Sequence, residues 1–479
     1  MNKKTLSYLV VASALLAGCS MGPAYERPAN ELPETWSAAP AQGRTIATDH
    51  WWTVYGDATL ERLISEALAG NQDLALATAR LDEVRALARI ADAELVPSVD
   101  AAFQRDRTRR SNSTATRFPG SLENNNYRGQ LNVSYELDLW GRLRDSAKAA
   151  RAELLATTAA RETVRIALTT EVTQSYYALV AYDAQIVATR KALALRQDNL
   201  RLQRVRADAG LINEFALRQL EAEVAAAQAQ LPALERRRTS EELALGVLLG
   251  RSPRALINET VSRSAESGQP ATPVIPADLP SSLLLRRPDV VTAEQRLIAA
   301  NARIGAARAA LFPQIGLSGY LGSESAALTN LFTAPARIWS LGFGLAQPIF
   351  QGGRLFGEIE AVEARERQAL AQYQKTLQTA FRETHDALVA QTKAREVFDA
   401  ENTRATALTE TLRLARIRYD NGLTSQLEVL DAERNLLSAE LNRVDALRAQ
   451  RAAIADVVKA LGGGWEGLEG RAPAVAQKN

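Results

Sequence analysis

Two very long proline-free stretches set the scale of anything this chain can fold into. They run from Gly141 to about Ala209 and from Gly353 to about Asp420, with Ala, Leu, Val and Arg mixed around the helical circumference. At about 1.5 Å rise per residue, each would be a helix roughly 100 Å long. A helix of that length cannot bury itself in a compact domain; it belongs in a coiled coil or a barrel of helices. The two stretches are also copies of one another. Gly141-Arg142-Leu143 corresponds to Gly353-Arg354-Leu355, and from Arg142 onward the offset between the copies stays constant without a gap. It pairs Arg206-Ala207-Asp208-Ala209-Gly210-Leu211 with Arg418-Tyr419-Asp420-Asn421-Gly422-Leu423, and Leu249-Gly250 with Leu461-Gly462. Upstream, Leu95-Val96-Pro97-Ser98-Val99 corresponds to Leu311-Phe312-Pro313-Gln314-Ile315. The period is far longer than that of solenoid repeats, so one large unit is used twice.

Each unit reads helix, strand, strand, very long helix, tight turn, helix. In the first, a helix is expected from Asp57, its N-cap, to Glu94, ended by Pro97. Tyr127 to Trp140 then alternates, with Tyr127, Gly129, Leu131, Val133, Tyr135, Leu137 and Leu139 on one face and polar residues on the other. Trp339, Leu341, Phe343 and Leu345 repeat the pattern in the second unit. Weaker partner strands are expected around Val99–Arg105 and Ile315–Leu321, with polar loops at Asp106–Asn126 and Gly322–Ala336. After the glycine turns, Asn213–Leu249 and Ser425–Leu461 return as shorter helices, the first interrupted and bent at Pro232. The strands fit a half-buried sheet of a soluble domain. Successive charged and amide groups on the polar face favour a watered lumen instead, as do Tyr127, Trp140 and Trp339 at strand ends, where aromatic girdles lie. Four strands per chain cannot close a membrane barrel, since known ones start at about eight. The chain must then oligomerise, and the residues alone leave dimer or trimer open.

The N-terminus gives the address. Lys3 and Lys4 precede a short apolar run, Leu6 to Leu16, which ends in Leu16-Ala17-Gly18-Cys19. Cys19 is the single cysteine of the chain and follows small residues, so it reads as a lipobox cysteine rather than a disulfide or metal partner. Ser20, in place of the aspartate associated with inner-membrane retention, favours the outer membrane. Several acyl chains anchor stably where one would be marginal. The expected division is 1–18 signal peptide, 19–56 lipid-anchored segment, 57–250 first repeat, 251–285 linker, 286–462 second repeat and 463–479 tail. Removing the signal takes Lys3 and Lys4 from the 57 basic residues, leaving 55 against 55 acidic. That balance argues against nucleic acid.

No enzyme signature emerges. His50 and His385 stand far apart without ligand-spaced companions, and Gly462-Gly463-Gly464 ends a helix rather than opening one. The mature chain keeps one methionine, Met21, which argues against a methionine relay for soft metals.

Several motifs, spanning nearly the whole mature chain, resemble the TolC-like outer membrane factors, in particular the lipid-anchored OprM/NodT branch. They are Trp51-Trp52 with Gly56-Asp57 and Leu60; Tyr135-Glu136-Leu137-Asp138-Leu139-Trp140-Gly141-Arg142; Arg286-Arg287-Pro288-Asp289-Val290; Ala310-Leu311-Phe312-Pro313; Gln347-Pro348-Ile349-Phe350; and Gly422-Leu423-Thr424 leading to Val429-Leu430-Asp431-Ala432. The resemblance implies a mostly α fold: a homotrimer whose 12-stranded outer-membrane β-barrel, four strands per chain, continues into a long periplasmic α-helical barrel. It implies a passive duct of a tripartite efflux system, served by an inner-membrane RND-type pump and a periplasmic adaptor and exporting drugs and other small toxic compounds. It also implies no cofactor beyond the covalent lipid on Cys19, an S-diacylglycerol and an N-acyl chain. By the same resemblance Gly210, Leu211, Gly422, Leu423 and Thr424 form adaptor-docking tips, Leu427, Glu428 and Asp431 the pore constriction, and Tyr419 a gate latch. The acidic latch partner of the family falls on Ala216, with Glu214 close by. Alternatives are a similar duct for type I protein secretion or metal export, and, from another class, a trimeric coiled-coil spacer or adhesin.

Overall fold

The computed structural model describes residues 21–29, 50–113, 120–263, 281–465 and 467–468. Cys19, the signal segment, residues 264–280 of the linker and the end of the tail lie outside the described residues. The helices are α1 (Ala58–Gly70), α2 (Gln72–Ala93), α3 (Arg142–Asp208), α4 (Glu214–Leu248), α5 (Pro253–Asn258), α6 (Pro288–Ala309), α7 (Arg354–Asp420) and α8 (Gln426–Ala460). Strands β1 (Ser98–Arg109) and β2 (Glu123–Leu137) lie between α2 and α3, and β3 (Gln314–Ser325) and β4 (Arg337–Ala346) between α6 and α7. The long helices α3 and α7 hold 67 residues each, and the return helices α4 and α8 hold 35 each. All of these boundaries obey the sequence offset.

Four expectations are corrected. The helix read from Asp57 to Glu94 is two helices, broken at Asn71, whose backbone turns extended. The Asn71 side chain explains the break: its carbonyl accepts from Leu74 N at 2.9 Å while its amide donates to Leu248 O at 3.0 Å, so it caps α2 and binds α4. Helix α4 is continuous through Pro232, because one missing N–H removes one bond from a ladder that its neighbours sustain. The strands run further into the polar segments than expected, and β2 stops at Leu137. Trp140 is a turn residue, stacked on Phe312 with centroids 4.8 Å apart and donating Nε1–H to Pro313 O at 2.9 Å.

The chain divides into two compact units, and each draws on both repeats. The first holds residues 80–157 and 292–374 with the N-terminal stretch to 29. Its strands form one antiparallel sheet in the order β1-β2-β3-β4. Beneath it, Ala149 and Ala152 of α3 pack on Ala299 and Ala302 of α6, where small side chains permit close helix approach. The turn from β2 into α3 is wired by the motif read above. Asp138 accepts from Leu143 N and Arg144 N at 3.2 and 2.8 Å, capping α3, and Arg142 grips Glu136 through two bonds of 3.0 and 2.7 Å. Residues 21–29 are held by Arg27, whose guanidinium makes two bonds of 2.6 and 2.8 Å to the buried Glu294 carboxylate.

The second unit holds residues 30–79, 158–291 and 375–479. Trp51 and Tyr55 are buried with Leu60, Leu63 and Ile64 of α1 and Tyr176 of α3. The phenol of Tyr55 donates to Arg451 O at 2.7 Å, and that of Tyr176 donates to Asp57, which also caps α1. Buried Arg287 donates to Ala460 O at 2.9 Å, satisfying a carbonyl at the end of α8, and pairs with Asp289 and Glu383.

Candidate functional site: two helix tips and a two-faced sheet

The tips at which α3 turns into α4 and α7 turns into α8 share one backbone solution. Gly210 and Gly422 hold φ of +72° and +73°, a left-handed conformation that costs glycine nothing. At each tip the glycine N–H and the following leucine N–H bond back to the helix end: Gly210 to Ala207 O and Leu211 to Arg206 O, Gly422 to Tyr419 O and Leu423 to Arg418 O, at 2.9 and 2.8 Å in both. Leu211 and Leu423 are each 70% exposed. One turn back, each hairpin is pinned by an equivalent ion pair, Arg204–Glu221 at 3.0 Å and Arg416–Glu433 at 2.8 Å.

The second tip carries the additional polar groups. Leu427 is exposed, and it lines a groove with Glu428 and Asp431 of α8, Leu414 and Arg418 of α7, and Gln219 of α4. The Asp431 carboxylate accepts from Arg434 at 2.5 Å and from Asn435 at 3.0 Å, so its charge is partly balanced within its own helix. Tyr419 is not joined to Glu214, whose carboxylate pairs with Arg218. Its hydroxyl accepts instead from Gln203 at 3.1 Å and Arg206 at 3.0 Å, both on α3. Sequence reading missed this pair because a search for an acidic partner passes over an amide and a cation. The Thr424 hydroxyl is buried and finds no hydrogen-bond partner among the described residues.

The sheet has two unlike faces. Register places Val133 beside Val99 and Gly319, Leu131 beside Ala101 and Leu321, and Leu321 beside Trp339, so one face is apolar across all four strands. That face is bare: Phe103 is 64% exposed, Trp339 76% and Leu341 81%. From Trp339 to Leu345 its apolar side chains cover about 20 Å of strand. The opposite face carries Asp100, Gln104, Gln130, Asn132, Glu136 and Ser318, with Glu324 bound to Arg128 at 2.6 Å and to Asn126 at 2.7 Å. Both edges, β1 and β4, lack a partner strand among the described residues.

Among the described residues no helix is long and apolar enough to cross a membrane, and no group of His, Cys, Asp and Glu is placed to hold a metal ion.

Known proteins share this arrangement. The family described as outer membrane efflux protein matches residues 63–251 and 279–463. The toluene efflux pump outer membrane protein TtgI of Pseudomonas putida is 35% identical over 96% of this chain and 99% of its own. The cation efflux system protein CusC of Escherichia coli O157:H7 is 34% identical over 94% of this chain and 97% of its own. The crystal structure of the Campylobacter jejuni CmeC outer membrane channel superposes with a TM-score of 0.86 at 26% identity, covering 93% of this chain and 95% of that one. The family is one of transport channels rather than enzymes. With matches on both sequence repeats and over nearly the full length, the chain belongs to the outer membrane efflux protein family.

Proposed function

We propose that the chain is one subunit of a homotrimeric duct that releases drugs and other small toxic organic compounds across the outer membrane. An inner-membrane RND-type pump and a periplasmic adaptor supply the energy and the hand-over. The observation that carries the reading is the four-stranded sheet with one bare apolar face, one polar face and two open edges. Such a sheet is one part of a barrel whose outside meets lipid and whose inside meets water, and three copies supply twelve strands. Exposed Ile349 and Phe350, each 89% accessible at the exit from β4, are further apolar surface for a neighbouring subunit to cover.

In this reading Cys19 bears the S-diacylglycerol and N-acyl chains that tether the mature N-terminus. Gly210, Leu211, Gly422, Leu423 and Thr424 present the adaptor-docking surface. Leu427, Glu428 and Asp431 recur three times around the axis as a dewetting ring with acidic neighbours, and Tyr419 ties the closed tip together through Gln203 and Arg206. Similarity to TtgI, a toluene efflux pump protein, supports organic substrates, and similarity to CusC, a cation efflux system protein, supports cations. The sequence, with Met21 as the one methionine after the signal, favours organic compounds.

The deciding experiment deletes the protein and measures susceptibility to dyes, detergents, antibiotics and metal salts. Increased susceptibility to the organic compounds is expected. Unchanged susceptibility to all of them, with loss of a secreted protein, overturns the proposal; sensitivity confined to metals reassigns the cargo.

A further inference from the structure

The outward apolar face does not run the whole length of β1. Beyond Val99, Ala101 and Phe103 the same alternation continues as Arg105, Arg107 and Arg109, all exposed and all toward the loop end of the sheet. Their neighbours on that face are Tyr127, Asn125 and Glu123 of β2. On the other edge strand stands exposed Arg337, one alternation beyond Trp339 and, through Ser323 and Gly129, level with Phe103. Charge on this end of the face is one-sided. The Glu123 carboxylate is shared by two of the guanidiniums, Arg107 at 2.9 Å and Arg109 at 3.7 Å. The opposite face at the same height carries Asp106, Arg128 and Glu324, a small acidic excess.

We infer that Arg105, Arg107 and Arg109, with Arg337, form a docking surface for the phosphorylated headgroups of the lipid leaflet around the loop end of the barrel. The inference rests on the reading of the sheet as a membrane barrel and goes beyond it by assigning a ligand class to one band of its outside. Arginine on a lipid-facing strand is costly at the bilayer centre and nearly free at the interface, so three in succession mark where hydrocarbon ends. Their stems lie along the apolar surface while the planar heads offer paired donors to phosphate oxygens. Arg105 sits over the Tyr127 ring at 5.5 Å, which aims its head while an aromatic fills the boundary. An ammonium would supply the charge without the fork.

The test reconstitutes the full-length protein and measures retained lipid per chain by mass spectrometry. The probes are a diphosphorylated glycolipid, its dephosphorylated form, and inorganic phosphate as competitor. The wild type is expected to retain the diphosphorylated form selectively, with inorganic phosphate a poor competitor. R105Q/R107Q/R109Q is expected to lose about tenfold in retention or more, while R128Q on the other face keeps it. Should the triple glutamine variant fail to assemble, R105K/R107K/R109K keeps the charge and is expected to lose the selectivity in part. Retention by either triple variant equal to wild type, equal retention of the dephosphorylated lipid, or full displacement by inorganic phosphate overturns the inference. Quenching of Trp339 fluorescence by brominated lipid, lost in W339F, separates the two levels. With quenching intact and no headgroup selectivity only the arginine surface fails; without quenching the membrane reading fails as well.

Discussion

The two helix tips are built on one backbone and furnished differently. Their glycines, hydrogen bonds, exposed leucines and Arg–Glu cross-pairs coincide position for position. The side chains at several other positions do not. At the offset that relates the two repeats, Phe215 stands where the second tip has Leu427, Ala216 where it has Glu428, Gln219 where it has Asp431, and Ala207 where it has Tyr419. Duplication thus kept what turns the chain and released side chains around the turn. A trimer made of such chains alternates two kinds of hairpin, and only one kind carries the groups proposed to close the pore.

The strongest way to break this comparison is to strip each tip in turn. L427A/E428A/D431A should raise closed-state conductance several-fold in planar bilayers and weaken cation preference, whereas F215A/Q219A should leave both near wild type. An equal response from the two tips would abolish the asymmetry. Next in size is Y419F, which removes the acceptor used by Gln203 and Arg206. At about 1 kcal/mol net for the two bonds together, the open fraction should rise several-fold. A double-mutant cycle of Y419F with Q203A should show clear coupling, and strict additivity would show that the bond does not matter.

Smaller effects separate the tips by stability. Asn213 caps α4 through its side chain, which accepts from Ala216 N at 2.8 Å, while Ser425 makes no such bond at α8. N213A should therefore cost about 1 kcal/mol of protection in the first turn of α4 and S425A close to none at α8, read by hydrogen exchange. The smallest effect concerns acid. Hydrogen bonds from Arg204 and Arg218 hold the Glu221 carboxyl below the ordinary carboxylate range. A lowered folded value means that its contribution is complete above the unfolded value and is lost as pH falls through the folded one. Exchange protection of the first tip should decline slightly over that acidic window and not in E221Q; an identical decline in the variant would remove Glu221 from the account. The group is partly exposed, so salt should blunt the effect.

Much of the architecture was legible because it rests on local signals. The offset located both helix pairs closely, since helix ends are set by the glycine turns and the residues after them. Alternation located β2 and β4, because a sheet that faces water on one side and carbon on the other writes its period into the sequence. What was missed depends on partners distant in sequence. Asn71 breaks a helix through a bond to Leu248, far along the chain, and Trp140 looks like a girdle residue until Phe312 is beside it. The partners of Tyr419 lie in the other repeat, on α3. The arginine rows were hidden for a different reason. Arg105 ends the strand expected from the sequence, while Arg107 and Arg109 sit in a segment whose polarity reads as loop, and only the extended pairing of β1 with β2 shows that they continue the apolar face.

The open edges of the sheet also bear on how the molecule comes into being. A lone chain carries two rows of unsatisfied backbone groups and a bare apolar face, which in water is a template for aggregation and in lipid is not yet a permitted structure. Neither defect is repaired among the described residues, and in the proposed trimer each β1–β4 seam requires a second molecule. In the proposed trimer insertion and association would then be one kinetic event, steep in concentration.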